Sequence, residues 1–520
     1  MNQPFTGRTA IRGAIMVMGS TYVTYALGML TSILLARTLG PDDFGRYTYM
    51  VWMAGLLIMF SNNGLTTTAI RFASESLGRG SPQNANSIHG WLRRWQLACV
   101  VLVALAFLAT MPLFKPAGWD SHLAVFAGVV LVAAIAKAMF LFDVSVAKGY
   151  GLFHVEARST VTMSLISIVA VLVMVVLKAP LLAYLLLFAV VSVGYMVCSS
   201  AMLRKAGVRP SREPVDPATL ARLKRHLGWT VLLTLAYAIS NKSIETWMLN
   251  AMVGSAAVGY FAIAAALTRG GVDLLASGLG TVLMPMMGHA FGKGGQDGVN
   301  AIMANAIRYF AFIGLLLAGG GALVADSAIT LLYGPDYKAV VDPLRVMMVV
   351  GGFTMIGGAF NALLSTTDNQ HLRVGYVLFS ILSVGILSVL LIPRYGLNGA
   401  VAAHAISEVL IFTMMATGVS RLLKLRVPWR ELGRMLLCAL AAIAIALVPM
   451  LMGGINPWTE LAAGLIYAVV FVLGTVVMRA WRAGDVHHLD VLLQRYPALA
   501  GRMQGRLQRW ADGLPTDGVH

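Results

Sequence analysis

The chain has 520 residues, 58% hydrophobic and 12% charged, with a formal net charge of +17; a soluble globular protein carries roughly 25% charged residues. There is too little polar surface for the three or four soluble domains that this length would otherwise suggest. Soluble enzymes, disordered chains, disulfide scaffolds and collagen-like repeats are excluded, and the long apolar runs exclude an outer-membrane barrel. An all-α polytopic membrane protein remains.

A helical crossing needs ~20 mostly apolar residues. After a short amino terminus (1–12), six such segments fill a first half, 13–203: 13–36, 47–70, 92–112, 122–147, 157–177 and 181–203. The first begins after Arg8 and Arg12 and lacks a convincing cleavage site, so it is expected to stay as a helix. A basic, Pro-containing linker (204–226) follows. Six more segments fill 227–420: 227–251, 258–288, 304–325, 343–366, 374–393 and 397–420. Two extra segments, 435–454 and 459–478, precede a basic, partly amphipathic tail (479–520) suited to an anionic inner leaflet. The sequence therefore predicts about fourteen transmembrane helices.

Basic residues choose the orientation. With the amino terminus inside, twenty-nine lie in interior segments, seven in exterior ones and three within spans. This bias predicts both termini in the cytoplasm, and it reads the positive charge as a topology signal rather than a nucleic-acid footprint. Cys99, Cys198 and Cys438 are dispersed in apolar runs, with no metal spacing. There is no Walker A sequence and no room for a soluble catalytic domain. A transporter rather than an enzyme is expected, with no cofactor and no metal site.

An ungapped shift of 214 residues aligns Gly40 with Gly254, Gly45 with Gly259, Gly64 with Gly278, Leu65 with Leu279, Thr67 with Thr281, Gly78 with Gly292 and Gly80 with Gly294. Two pseudo-symmetric six-helix lobes, 13–203 and 227–420, follow from that repeat.

The string Leu35-Ala-Arg-Thr-Leu-Gly-Pro-Asp-Asp-Phe-Gly-Arg-Tyr47 resembles the signature of Wzx-type polysaccharide flippases, which belong to the multidrug/oligosaccharidyl-lipid/polysaccharide exporter superfamily. Gly64-Leu-Thr-Thr-Thr, Leu332-Tyr-Gly-Pro-Asp-Tyr337, the polar turn at Asp368-Asn-Gln-His371, and Ile392-Pro-Arg-Tyr-Gly-Leu-Asn-Gly-Ala400 are similar in the same order. The resemblance covers roughly residues 10–425. It implies a V-shaped, two-lobed transporter in the bacterial inner membrane, working by alternating access. The implied substrate is an undecaprenyl-diphosphate-linked oligosaccharide repeat unit for exopolysaccharide or O-antigen synthesis. Implied partners are that lipid-linked substrate, the bilayer, and a polymerase with chain-length or export proteins; nucleic acid is not among them. A lipid II flippase and a cation-coupled multidrug antiporter are the alternatives within the superfamily. A membrane glycosyltransferase is the alternative outside it, and the lack of a large exterior loop speaks against that one.

A charge within hydrocarbon needs a partner or a wet cavity, because its insertion costs at least ~2.5–3.5 kcal/mol. Lys242 and Glu245 fall on one face of span seven, and Arg269 and Asp273 on one face of span eight. Lys137 lies near the middle of span four, and Asp143 nearer its inner end. Against a diphosphate, Arg269, Lys242, Lys137 and Arg71 are the expected cationic contacts. Arg71, at the end of span two, also suits a positive-inside anchor. Asn62 and Asn63 suit sugar hydroxyls or a helix cross-link. Asp273, Glu245, Asp143 and the His404–Glu408 pair are candidates for charge pairing or for a coupling cation, Na+ or H+. Pro41-Asp42-Asp43-Phe44 reads as an exterior turn to which Gly45 lends backbone freedom.

Overall fold

The computed structural model describes residues 7–119, 122–240, 243–366, 370–422, 424–425, 427–454 and 456–482. The described residues are almost wholly helical and contain no β-strand. In chain order the helices are α1 (Gly7–Asn62), α2 (Leu65–Gly78), α3 (Pro82–Thr110), α4 (Leu123–Gly149), α5 (His154–Val176), α6 (Leu181–Lys205), α7 (Pro217–Ser240), α8 (Ser243–Met252) and α9 (Ser255–Thr268). A π-helical turn, Arg269–Asp273, leads into α10 (Leu274–Leu323). There follow α11 (Ala325–Leu332), α12 (Val341–Thr354), α13 (Gly357–Thr366), α14 (Gln370–Leu422), α15 (Trp429–Ala446), α16 (Val448–Gly453) and α17 (Pro457–Val477).

Among the described residues ten helices are long and apolar enough to cross a membrane, or eleven if the bent pair Pro335–Thr354 and Gly357–Leu364 is one crossing. The expected fourteen are not recovered as separate helices. Two of the ten, Gly19–Asn62 and Val374–Arg421, are each long enough for two crossings. Each is broken by a glycine outside the helical region, Gly40 at φ 73° and Gly396 at φ 54°. The expected crossing at 227–251 is divided between α7 and α8, on either side of residues 241–242, which lie outside the described residues. The expected second crossing at 47–70 stops at Asn62, because Asn63 (φ 35°) and Gly64 (φ 77°) turn the backbone left-handed before α2.

The turn expected at Pro41–Phe44 is made by Gly40. Pro41 then sits where a helix start tolerates a residue without an N–H. Gly45 has a different role from the expected backbone freedom. It is helical, and a Cβ there would overlap the Ser255 carbonyl at the start of α9. Reciprocally, a Cβ on Gly259 would lie 3.2 Å from the Gly45 Cα. The two glycines matched by the internal repeat are thus packed against each other.

The chain separates into two compact units. The described residues within 1–266, 332–339 and 377–407 make the first; those within 267–331, 340–376 and 408–520 make the second. In the first, α4 is the central helix, the most buried of the crossings among the described residues. Its alanines (Ala133, Ala134, Ala136, Ala138, Ala147) allow neighbours close, as small residues do in membrane interfaces. One core cluster joins α2 (Leu65, Phe72), α3 (Ile88, Leu92), α4 (Phe142, Val146), α5 (Val155), α6 (Leu203) and α7 (Leu223). Val101 and Leu105 on α3 and Val169 and Val173 on α5 are exposed, as lipid-facing side chains are.

In the second unit α10 is the hub. Gly314 and Gly352 bring α10 and α12 together so closely that a Cβ on either would overlap the other's carbonyl. The hairpin of α15 and α17 packs on α10 through Cys438, Ala439, Ala442, Ala463, Tyr467 and Phe471, with Leu323. Tyr467 donates to the Leu315 carbonyl at 2.7 Å. Glu460, 1% exposed, accepts from the Ser327 N–H at 2.6 Å and its Oγ at 2.7 Å. Asn456 and Thr459 form a capping box at the start of α17.

Candidate functional site

The central helix α4 carries both of its ionisable candidates inward. Asp143, 4% exposed, accepts from Arg93 Nη1 (3.0 Å), Ser199 Oγ (3.2 Å) and Ser200 Oγ (2.5 Å). The Arg93 Nη1 also donates to Gln96 Oε1 at 3.1 Å. Gln96 Nε2 in turn donates to Asn62 Oδ1 (2.9 Å) and to the Ala138 carbonyl (3.0 Å). One polar network therefore ties α1, α3, α4 and α6 together. Its ion pair has the extra hydrogen bonds that a buried pair needs to offset desolvation. Asn62 Nδ2 is buried with no hydrogen-bond partner among the described residues. The sequence singles out Asn62 and Asp143 but not Arg93, Gln96, Ser199 or Ser200. The only advance signal for Gln96 is a lone amide at the start of a long apolar run.

Lys137 lies one and a half turns before Asp143 and does not meet it. Its Nζ sits 3.0 Å from the centroid of the Tyr195 ring and 4.9 Å from that of Phe140. Tyr195 is held by a 3.0 Å hydrogen bond with Ser164. No ion pair to Lys137 occurs among the described residues. The ring faces supply partial compensation, about 2 kcal/mol when desolvated. A cation compensated only by quadrupoles leaves its Coulombic demand open to an incoming anion.

Asn63 borders a cavity of about 380 Å³ between α1 and α3, with Met53, Phe60, Leu102, Phe107 and Leu235 among its walls. Thr110 adds a second polar side chain, and the rest of the lining is apolar. Arg71, on α2, is exposed; its Nη1 is 3.1 Å from His226 Nδ1 on α7, and its guanidinium lies 5.5 Å from the Phe72 ring centroid. The neighbouring Glu75 accepts from both terminal nitrogens of Arg222, at 2.7 and 3.2 Å, and pairs with Arg79 at 2.5 Å. Those contacts clasp α2 to α7. The Arg222 hydrogen bond, the largest cause, holds the Glu75 carboxyl below its ordinary value; burial and then Arg71 lower His226.

Arg269 and Asp273 begin and end the π-helical turn and are both exposed, with no ion pair between them among the described residues. Lys242, the cationic mate expected for Glu245, lies outside the described residues, as do residues 483–520 of the tail. Glu245 opens α8 with none of its surface exposed. Its Oε1 is 3.3 Å from Nδ1 of His404 on α14. The local pairs suggested by helix periodicity are thus joined by a contact between helices 159 residues apart. Glu408, one turn beyond His404, is half-buried. Among the described residues no group of three or more His, Cys, Asp or Glu could hold a metal ion.

Residues 10–291 match the profile of a family described as polysaccharide biosynthesis protein. The chain belongs to this family. No curated protein matches it in sequence. Among solved structures it is similar to a lipid II flippase MurJ in an inward closed conformation, with a TM-score of 0.69 and 14% identity, over 89% of this chain and 98% of that one. It is also similar to an inward-facing multidrug resistance MATE transporter of the MOP superfamily (0.62, 15%, 78% and 95%). A Vibrio cholerae MATE transporter, VcmN, in mutant form gives 0.57 and 12%, over 80% and 97%. Identities this low speak to the fold. The chain is a multi-pass membrane protein of the polysaccharide biosynthesis family with the helical fold of MOP-superfamily transporters.

Proposed function

We propose that this protein is a flippase that moves an undecaprenyl-diphosphate-linked oligosaccharide repeat unit across the bacterial inner membrane for exopolysaccharide or O-antigen assembly, by alternating access, with both termini cytoplasmic. The observation that carries this reading is Lys137: a cation in the central helix of its unit, faced by aromatic rings and by no carboxylate among the described residues. A diphosphate brings the charge that such a site lacks. Arg269, Lys242 and Arg71 are further cationic contacts along the substrate's path, and Asn62 and Asn63 offer amides to sugar hydroxyls. No bond of the substrate changes in this reading, so no catalytic residue is assigned. The polyprenyl tail stays in lipid, and a polymerase takes the unit on the far side.

The experiment is rescue of a strain that lacks its own flippase for such a polymer. This protein restores surface polymer, and Lys137→Gln lowers it roughly tenfold or more at equal protein level, a loss of at least about 1.4 kcal/mol of substrate interaction. The likeness to a lipid II flippase favours one second reading. Rescue of a strain deprived of lipid II flipping, with no surface polymer restored in the first strain, would move the assignment to lipid II.

A further inference from the structure

The hairpin of α15 and α17 lies outside the two repeated halves, and the proposed transport makes no use of its basic end. There the start of α15 meets the residues that follow α17. Met435 and Ala480 pack with Ala311 of α10, and Trp481 lies against Phe312, 4.9 Å between ring centroids. Arg430, Arg434, Arg479 and Arg482 are gathered on this packed base. One carboxylate, Glu431, comes with them, and Arg482 takes it: its Nε and Nη2 both donate to Oε1, at 3.0 and 2.8 Å. Arg434 donates from Nη1 to the Arg479 carbonyl at 2.8 Å, which holds its guanidinium against the end of α17. Arg430, Arg434 and Arg479 make no ion pair among the described residues.

The backbone sharpens the case for Arg479. Its φ is 53°, and the Ala480 N–H bonds back to the Thr475 carbonyl at 3.0 Å, so Arg479 holds the left-handed position after a helix that glycine most often fills. A side chain there costs conformational energy that glycine avoids. Backbone preference does not explain an arginine at this position; what it brings is charge.

The exposed faces beside the arginines show what kind of anion fits. Beyond Arg430, α15 exposes Leu437 and Leu440, and before Arg479, α17 exposes Leu473 and Val477. Trp429, also exposed, stands at the polar end, as aromatic residues do at a membrane interface. Guanidinium groups are suited to phosphate oxygens. Cations at the end of an exposed apolar stripe match a molecule with a phosphate at one end and hydrocarbon chains at the other. A free phosphate would use the arginines and leave the stripe idle.

We propose that this end of the hairpin binds one net-anionic phospholipid of the surrounding leaflet, its phosphate held by Arg434 and Arg479 with Arg430 beside them, and its chains along the exposed leucines. The ligand is a lipid of the bilayer and not the transported one, so the proposal stands apart from the flippase reading.

The test takes the full chain in detergent and reads the first lipid bound by native mass spectrometry as phosphatidylglycerol is titrated. Arg434→Gln and Arg479→Gly each lower the apparent affinity roughly fivefold, the effect of one basic residue at a lipid surface. Arg479→Gly melts at the wild-type temperature or above, because glycine accepts the left-handed backbone, so its loss of lipid is not a loss of fold. Arg421→Gln and Lys424→Gln remove the same charge from exposed positions just before α15 and leave the affinity unchanged. Equal losses at those two positions would make the attraction diffuse and overturn the site, as would phosphatidylcholine bound as tightly as phosphatidylglycerol. Inorganic phosphate that displaces the lipid where sodium chloride of equal ionic strength does not would make it a free-anion site. Undecaprenyl diphosphate that takes the site from an equal concentration of phosphatidylglycerol would give it to the substrate. Either result overturns the phospholipid assignment.

Discussion

Lys137 and Asp143 occupy one helix and have opposite electrostatic situations. Asp143 has an arginine and two serine hydroxyls, so its charge is satisfied and its work is to hold α3, α4 and α6 in register. Among the described residues, Lys137 meets ring faces and no carboxylate. Substitutions separate these roles. Asp143→Ala leaves Arg93 without its counter-charge and lowers thermal stability by about 3 kcal/mol, the low end for a broken buried pair because the Arg93 side chain keeps 25% of its exposure and can turn toward water. Lys137→Gln removes a charge that no carboxylate among the described residues balances, so the melting temperature is unchanged or raised while export falls. A thermal melt of both purified variants beside the export measurement checks the contrast; a Lys137→Gln protein that melts as early as Asp143→Ala would make the lysine structural. Asp143, Lys137 and Asn62 stand out in the sequence because each interrupts an apolar run. Their partners do not, because Arg93 reads as one of many basic residues at a helix start and the serines are unremarkable among small residues. Glu245 and His404 show the same limit. Helical periodicity offers each a neighbour on its own helix, Lys242 and Glu408, and has no access to a contact made across the fold.

At the scale of elements, the glycines matched by the internal repeat acquire a physical reason where they meet. Gly45 and Gly259 let α1 and α9 cross with backbones in contact, and the repeat places the same small residue on both sides of the crossing. Gly45→Ala forces its Cβ into the Ser255 carbonyl, which is backbone and cannot swing away; about 1–3 kcal/mol is lost, the range for overpacking. Gly55→Ala, also on α1, meets nothing within 4 Å and leaves stability unchanged or slightly higher. Denaturation of the two variants side by side reads the difference. The clasp between α2 and α7 is pH-dependent, and its sign follows from the shifts. Glu75 is held below its ordinary 4.5 and His226 below its ordinary 6.5. In both cases the folded state binds fewer protons than the unfolded one, so the stabilisation is present at neutral pH and fades in acid. It weakens first as pH falls below 6.5, when unfolded His226 takes its proton, and again below 4.5 as Glu75 does. Spin labels at Ser74→Cys and Ala221→Cys report a single narrow distance at neutral pH that broadens below 4.5. A distribution that stays narrow there would mean that helix packing alone holds α2 on α7.

For the whole molecule, the fold class was legible because a hydrocarbon solvent leaves few choices: apolar runs of crossing length must be helices, and repeated runs must form a bundle. The number of crossings was less legible. Turns such as Asn63-Gly64 cut an apolar run short, and at Gly40 and Gly396 two helical stretches of near-crossing length meet at a single non-helical residue with no loop between them. Orientation rests on the basic residues, and it makes a prediction that span boundaries cannot disturb. Segment 204–226 holds seven Lys and Arg and joins crossings on the side proposed as cytoplasmic, while Lys338 lies in a connection proposed to face out. The chain has only three cysteines, and Cys99, Cys198 and Cys438 are all free thiols within helices. Replacing them with serine gives a background for impermeant thiol labelling. Lys338→Cys in that background labels in intact cells stripped of their outer membrane, and Ser211→Cys labels only after the inner membrane is opened. The Ser211 backbone is fixed by an N–H bond to the Asn86 carbonyl (3.0 Å), so both α3 and the linker report the same side. Reversed labelling of the two sites would invert the protein and place its basic linker outside, against the orientation that the proposed transport requires.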